Sequence, residues 1–284
     1  MEEILITDAC IKCRRCVAAC PAGILLQDKS TKEIKAEKLN RCIVCGQCAA
    51  ICPTGALHHS AFPKGTVKPF DAADCPTPGQ MSLLIKKRRS NRMFKKEPVA
   101  DDLLAEIVEA AHYAPTAKNT RDMQCTVVDT EEGLRSLVGF TLSYYEHTLK
   151  ILTNPVLKPL LRLVSPKALA SVPVMRHVLN QSKRGLDDIL RNAPTVVLFH
   201  TKLDGMFSIV DANLAYQNAS LMAESLGVSQ FYLGYMCSAI RMNKGKLEAQ
   251  LGIDGTIQAA MGLGMPRCEF TNYIEKPCPP FNKI

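Results

Sequence analysis

The feature that most constrains this chain is a run of four cysteines, closed by a proline, that occurs twice near the N-terminus. Both runs have the spacing C-x2-C-x2-C-x3-C-P, and the second follows the first with a period of 32 residues. The cysteines are Cys10, Cys13, Cys16 and Cys20 in the first run, and Cys42, Cys45, Cys48 and Cys52 in the second. Any fold of this region therefore has to place eight sulfur atoms.

Thiolate sulfur is a soft ligand that suits iron–sulfur clusters. Three closely spaced cysteines can bind three irons of a cubane from one loop, and in runs of this spacing the fourth cysteine ligates the other cluster. Cys52 is therefore predicted to complete the cluster of the first run, and Cys20 that of the second. The alternatives are a zinc site, which usually uses pairs of cysteines, and disulfides.

The composition and the N-terminal sequence argue against a disulfide framework. Of the 284 residues 47% are hydrophobic, so the chain can bury a sizeable core. We see no apolar run of about 18 residues and no secretory signal, which predicts a cytoplasmic protein without a disulfide framework. The cysteines outside the runs are interpreted as apolar filler or surface thiols; they are Cys75, Cys125, Cys237, Cys268 and Cys278.

Residues 1–61 resemble the bacterial two-cluster ferredoxins, because they carry both cysteine runs. The resemblance implies a small ferredoxin-like domain with two [4Fe–4S] clusters that moves single electrons. A segment this short buries little apolar surface, so the clusters are expected to supply much of its folding free energy. Residues 62–80 contain four prolines and no apolar periodicity, which predicts a linker.

The chain beyond residue 80 alternates helical and strand-like patterns, which predicts an α+β domain. Residues 101–113 place apolar side chains on one helix face behind acids in the first turn. A long helix is predicted over 211–227, and shorter ones over 81–89 and about 131–138. The strand-like runs are 124–129, 195–200 and 256–264.

Five short motifs follow one another in this second part. They are RRSNR at 88–92, APTAKN at 114–119, DANLAYQNASLMAESLGV at 211–228, LGYM at 233–236 and MGLGMP at 261–266. Arginine forks and a hydroxyl suit a phosphate group. Taken alone, the basic run around RRSNR also fits a solvated helix face or a nucleic-acid patch, although no aromatics are interleaved as a nucleic-acid surface would favour.

In this order and spacing, the motifs resemble the nitroreductase family of FMN enzymes over roughly residues 81–284. The resemblance implies an FMN-binding α+β sandwich that forms a homodimer with the flavin at the subunit interface. It implies that the FMN phosphate and ribityl chain are bound by Arg88, Arg89, Ser90 and Arg92, and that Arg267 or Lys276 completes the phosphate site. It also implies that Asn119 hydrogen-bonds the flavin and that Leu233 and Gly234 bring backbone N–H groups near the ring. No catalytic side chain is predicted.

An apolar and basic insertion occupies about residues 139–192. Within 135–185 there are eight Lys or Arg residues and one acid, a net charge of +7. Three interpretations remain open: a lid over the flavin, a surface for an acidic partner protein, and attachment to an anionic membrane. Prolines at 155, 159, 166 and 173 break any single long helix, which makes membrane binding the least favoured.

The two parts together predict a flavin oxidoreductase. Electrons would pass from a low-potential donor, such as a ferredoxin or flavodoxin, through two [4Fe–4S] clusters to FMN and then to a small organic acceptor. The acceptor classes are a nitroaromatic, a quinone or an activated alkene. One alternative is an electron-transfer module that serves a partner protein and has no substrate of its own, and another is a redox sensor.

Overall fold

The structure, a computed structural model, describes residues 3–284 and divides into two compact units. The first contains the chain up to Thr77 together with Ala117–Thr120, and the second contains Pro78–Thr116 and Arg121–Ile284. The predicted linker, 62–80, is thus divided at Thr77: its first part belongs to the first unit and its end begins a helix of the second. The assignment of Ala117–Thr120 to the first unit has no counterpart in the sequence prediction.

The first unit is small and its two halves repeat one another. Its elements are β1 (Ile4–Ile6), α1 (Arg15–Ala19), β2 (Leu25–Gln27), β3 (Ile34–Ala36), α2 (Gln47–Ala50) and β4 (Leu57–His59). Strand β1 pairs antiparallel with β4, and β2 pairs antiparallel with β3. A short buried cluster that includes Ile24, Leu25, Ile34 and Leu57 holds the strands together, with cluster-run cysteines packed against it.

The second unit is built on a four-stranded antiparallel sheet in the order β5-β6-β8-β7. The strands are β5 (Met123–Val128), β6 (Thr195–Thr201), β7 (Ser229–Tyr232) and β8 (Thr256–Gly264). The helices are α3 (Pro78–Lys87), α4 (Asp101–His112), α5 (Glu131–Thr153), α6 (Lys158–Val164), α7 (Pro166–Ala170), α8 (Val172–Lys183), α9 (Ser208–Ser225), α10 (Gly234–Met242) and α11 (Lys246–Leu251).

Both faces of the sheet are covered by helices. Alternate residues of β6 enter two separate cores: Val196 and Leu198 pack with α5, α8 and α10, whereas Val197 and Phe199 pack with α4 and α9. Every residue of β6 is buried. The unit is therefore a three-layer sandwich of helices and strands, which confirms the predicted α+β fold class.

The insertion, residues 139–192, is helical. Helix α5 runs far beyond the predicted stretch of 131–138, ending at Thr153. Each of α6, α7 and α8 then begins with a proline in its first two positions, where a missing N–H costs nothing. Buried residues of α5 and α8 belong to the main core, while Leu163 of α6 is 83% exposed. Within residues 3–284, no helix has the length and apolar character needed to span a bilayer.

Candidate functional site: two cysteine loops and an arginine segment

The first cysteine run and the last cysteine of the second run meet in the structure. Cys10, Cys13, Cys16 and Cys52 line one cavity of the first unit, together with Pro53. Burial raises the pKa of the Cys16 thiol, and the nearby Cys10 and Cys52 raise it further. The crossed grouping that the spacing predicts is thus present in the geometry.

The second set of cysteines is grouped in the same crossed manner. Burial raises the pKa of the Cys48 thiol to about 11, and the charges of Cys45 and Cys20 add to that rise. Cys20, the last cysteine of the first run, therefore lies near the cysteines of the second. The last cysteine of each run thus lies with cysteines of the other run.

The donor sets fit iron–sulfur clusters. All thirteen cysteines are free thiols, so each loop cysteine can offer its sulfur to a cluster. The raised pKa of Cys48 means that its thiolate needs a compensating positive charge, which iron provides. At Cys52 burial raises the pKa, but backbone N–H groups of Leu57 and Thr54 outweigh it and lower the pKa overall.

The two loops share an unusual backbone. Lys12 in the first loop and Val44 in the second occupy the same repeat position, and both have positive φ, 57° and 51°. Arg14 and Gly46 are likewise equivalent, with φ of 64° and 73°. Positive φ is uncommon outside glycine and is a genuine outlier for a β-branched residue such as Val44. The repeat thus extends from the cysteine spacing to the backbone dihedrals.

Side-chain amides hold each loop in this conformation. Gln27 donates to the carbonyl of Lys12 at 3.1 Å. In the second loop Asn119 donates to the carbonyls of Ile43 at 3.0 Å and Val44 at 2.8 Å. Asn119, predicted to hydrogen-bond the flavin, therefore lies in the first unit with both of its amide protons directed at a cysteine loop.

The arginine segment RRSNR follows α3 in the second unit. Helix α3 ends at Lys87, so Arg88 and Arg89 lie outside it, although the predicted helix over 81–89 includes them. Ser90 forms an isolated parallel bridge to Gln230. Asn91 is buried and donates to the Ser229 hydroxyl at 2.8 Å and to the Cys268 carbonyl at 3.1 Å. These buried contacts fix the segment along β7.

Two predicted phosphate-binding arginines lie near a common point. Burial raises the pKa of the Tyr216 hydroxyl, and the charges of Arg88 and Arg92 oppose that rise. The Tyr216 hydroxyl donates to Gln230 at 2.9 Å, and the Gln230 amide donates to the Arg89 carbonyl at 3.0 Å. The buried Tyr216–Gln230 pair therefore positions the backbone from which both arginines project.

Three other residues predicted to bind FMN lie in different surroundings. Arg89 stacks on the Phe270 ring, with its guanidinium carbon 4.9 Å from the ring centroid. Arg267 lines one basic cavity of about 1040 Å³ together with Arg92. Lys276 lies in the exposed C-terminal tail, which has no regular secondary structure.

The two amides predicted in the LGYM stretch lie in different surroundings. The Leu233 N–H donates to the Ala260 carbonyl at 3.0 Å, so that group is committed to the sheet. Gly234 is the first residue of α10, where backbone N–H groups have no partner inside the helix. Of the two predicted amides, the structure leaves only that of Gly234 suited to a ligand.

Sequence reasoning missed four polar residues of these sites: Gln27, His59, Asn91 and Gln230. For Gln27 and His59 a signal existed, since they occupy one position of the 32-residue repeat. Asn91 stands inside the arginine motif, but a single asparagine gives no indication that it is buried. Gln230 lies in a short strand that the pattern analysis did not predict.

Comparisons with known proteins agree with this architecture. The nitroreductase family matches residues 85–265, and the 4Fe-4S dicluster domain matches residues 9–57. The chain therefore belongs to the nitroreductase family, and it also carries an iron–sulfur domain at its N-terminal end. Both predicted resemblances are confirmed.

Individual relatives are similar over shorter stretches or at lower identity. Nitrobenzene nitroreductase of Ectopseudomonas oleovorans is 38% identical over 56 residues, which are 20% of this chain and 25% of that protein. The chain thus spans about a quarter of the length of that curated relative.

Solved structures support the fold. A nitroreductase with bound FMN from Desulfitobacterium hafniense DCB-2 is 22% identical, with a TM-score of 0.51 over 69% of this chain and 93% of that one. A BluB-like flavoprotein from Clostridium difficile 630 is 20% identical, with a TM-score of 0.54 over 71% and 99%.

Proposed function

We propose that this oxidoreductase takes electrons from a low-potential donor, such as a ferredoxin or flavodoxin, and delivers them through two [4Fe–4S] clusters and FMN to a small organic acceptor. The acceptor would be a nitroaromatic, a quinone or an activated alkene. The observation that carries the proposal is the cavity shared by Cys10, Cys13, Cys16 and Cys52 in a chain of the nitroreductase family. A crossed set of thiolate ligands would account for the position of Cys52 beside the first run.

The eight loop cysteines would hold the clusters. Cys10, Cys13, Cys16 and Cys52 form one ligand set, and Cys42, Cys45, Cys48 and Cys20 form the other. The proline after each fourth cysteine, Pro21 or Pro53, turns the chain away from the ligand. Two sets in one small unit suit the transfer of single electrons.

The arginine segment would hold FMN. Arg88, Ser90 and Arg92 would bind its phosphate, with the Gly234 amide at the start of α10 as a further donor. The FMN in the related Desulfitobacterium hafniense structure supports this choice of cofactor. Bound FMN accepts electrons singly and releases them in pairs, which joins the clusters to two-electron chemistry. The buried contacts of Asn91 and Gln230 would keep the phosphate-binding groups in place.

We also propose a cytoplasmic homodimer, as in the family that the chain belongs to. Within the chain, Arg267 would support the phosphate site from the cavity that it shares with Arg92. Arg89 and Lys276 would contribute less to FMN binding, because Arg89 stacks on Phe270 and Lys276 lies in the exposed tail.

A cofactor inventory on anaerobically purified protein tests the proposal. We expect about eight irons and one FMN per chain, with turnover of small acceptors. The double variant Arg88→Ala/Arg92→Ala should lose FMN and keep its iron, whereas Arg162→Ala/Arg176→Ala, which removes two exposed arginines of the insertion, should keep both. Iron without flavin, even after FMN is added, would defeat the reductase and leave the electron-transfer module.

A further inference from the structure

His59 and Gln27 occupy the same position of the 32-residue repeat, at the ends of β4 and β2. Their side chains have different partners. The Gln27 amide donates to the carbonyls of Lys12 at 3.1 Å and Lys32 at 2.8 Å, so its protons go to backbone oxygen. The imidazole of His59 instead reaches a cysteine, with its Nε2 atom 3.4 Å from the Sγ atom of Cys42.

The surroundings of His59 decide which ring nitrogen carries the proton. The backbone N–H of Ala61 donates to Nδ1 of His59 at 3.1 Å. Nδ1 therefore accepts, and the proton lies on Nε2, the nitrogen that faces Cys42. His59 is only 3% exposed, and its ring packs against Phe62 with 5.2 Å between the ring centroids. A buried, oriented N–H group is thus aimed at the sulfur.

Cys42 receives a second donor from its own loop. The backbone N–H of Val44 points to the Cys42 sulfur at 3.4 Å. The peptide that carries this N–H has its orientation fixed, because Asn119 donates to the Ile43 carbonyl of the same peptide and to the Val44 carbonyl of the next one. The sulfur of Cys42 therefore faces two N–H groups, those of His59 and Val44, in a loop that Asn119 keeps rigid.

We propose that His59 raises the reduction potential of the cluster bound by Cys42, Cys45, Cys48 and Cys20. The inference rests on the proposed iron–sulfur function. Reduction adds negative charge to a cluster and its sulfur ligands, and an N–H donor to sulfur stabilises that charge; hydrogen bonds to the sulfurs are among the factors that set cluster potentials. The first repeat has Gln27 in place of His59, and Gln27 donates to backbone oxygens, so this side-chain donor acts on the Cys42 cluster and has no counterpart at the equivalent position.

The test uses the full-length, anaerobically purified protein in a redox titration followed by electron paramagnetic resonance. His59→Leu removes the donor, and the matched control is His58→Leu, since His58 is the exposed neighbour on the same strand. We expect His59→Leu to lower one of two midpoint potentials by about 59 mV, a tenfold change for a one-electron couple. The other potential, and both potentials of His58→Leu, should stay in place.

If His59→Leu loses its iron, a second measurement on the wild-type protein still tests the proposal. The wild-type protein labelled with ¹⁵N-histidine should show nitrogen hyperfine coupling to one reduced cluster, and His58→Leu should retain that coupling. Lack of any histidine coupling in the wild type would overturn the inference, as would His59→Leu with full iron and two unmoved potentials. An iron-free wild type would instead sink the proposed function, so the two failures are distinguishable.

Discussion

The two cysteine loops, Cys10–Cys16 and Cys42–Cys48, share a backbone conformation but depend on different side chains to hold it. Gln27, which holds the first loop, is 15 residues from Lys12, whose carbonyl it binds in that loop. Asn119, which holds the second, is 75 residues from the Val44 carbonyl. The first loop is thus stabilised locally, and the second depends on a distant part of the chain.

This difference shows how a repeat can diverge while its ligands stay the same. Because Asn119 holds the second loop, the position equivalent to Gln27 in the second half is not needed to hold it. His59 takes the position and directs its N–H to Cys42 sulfur. A duplicated unit can in this way acquire two unequal halves without any change in the cysteine spacing.

The largest expected effect comes from breaking the crossed ligand sets. Cys20→Ser should remove the cluster of Cys42, Cys45 and Cys48, because Cys20 lies with that group. Cys52→Ser should remove the cluster of the first run, whose cavity it lines. Each variant should keep about half of the iron, measured per chain and assigned by paramagnetic resonance. If each variant lost the cluster of its own run, the crossed assignment would be wrong.

A smaller effect should separate the two amide contacts. Asn119→Ala removes two hydrogen bonds from the second loop, each worth about 0.5–1.5 kcal/mol, so iron release to a chelator should accelerate several-fold for one cluster only. Gln27→Ala should accelerate release from the other cluster. The bound FMN should be unaffected in both. Loss of FMN from Asn119→Ala with unchanged iron release would instead support the flavin-binding role that the sequence predicts.

Backbone strain offers a finer comparison at one repeat position. A non-glycine residue in the left-handed region costs on the order of 1–3 kcal/mol, most for a β-branched side chain. Val44→Gly should therefore stabilise its loop by about 1 kcal/mol after the entropy cost of glycine, whereas Lys12→Gly should change little. The temperature at which visible cluster absorbance is lost, measured anaerobically, gives the comparison. A lower temperature for Val44→Gly would show that valine packing outweighs the strain.

The smallest effect concerns cysteines outside the loops. Burial raises the pKa of Cys125 to about 12 and raises the pKa of the buried Cys237 as well. Only the thiolate reacts with iodoacetamide, so at pH 8 both should stay unmodified in the holoprotein, and Cys125 should react only as the pH approaches its raised pKa. Exposed Cys75 and Cys278 serve as internal controls in mass spectrometry. Rapid labelling of Cys237 at pH 8 would contradict its burial.

The elements that the sequence predicts well are those set by local chemistry. Strand β8 has the predicted limits, 256–264, because a continuous apolar run flanked by turns has few other solutions. The crossed cysteine groups also follow from spacing alone. Helix α5 is much longer than predicted, because it continues into the insertion and ends only at Thr153. The basic and proline-rich stretches of the insertion hide that continuation in the sequence.

Roles that depend on distant contacts could not be read from the sequence. The APTAKN motif predicts that Asn119 serves a flavin, but nothing in the motif reveals that Ala117–Thr120 belongs to the first unit. The predicted N–H of Leu233 is taken by Ala260, a pairing set by strand register. His59 is one histidine beside another, and only the structure shows that one is buried at a sulfur and the other exposed.

The membership of Ala117–Thr120 in the first unit has a consequence for how the protein is made. Synthesis proceeds from the N-terminus, and domains generally fold as units as they emerge. Thr77 ends the continuous part of the first unit, yet Asn119 follows about forty residues later. A nascent chain can stabilise its first cysteine loop with Gln27 early, whereas the Asn119 hydrogen bonds to the second loop form only after part of the sandwich has left the ribosome. The contacts that stabilise the two loops therefore form at different times.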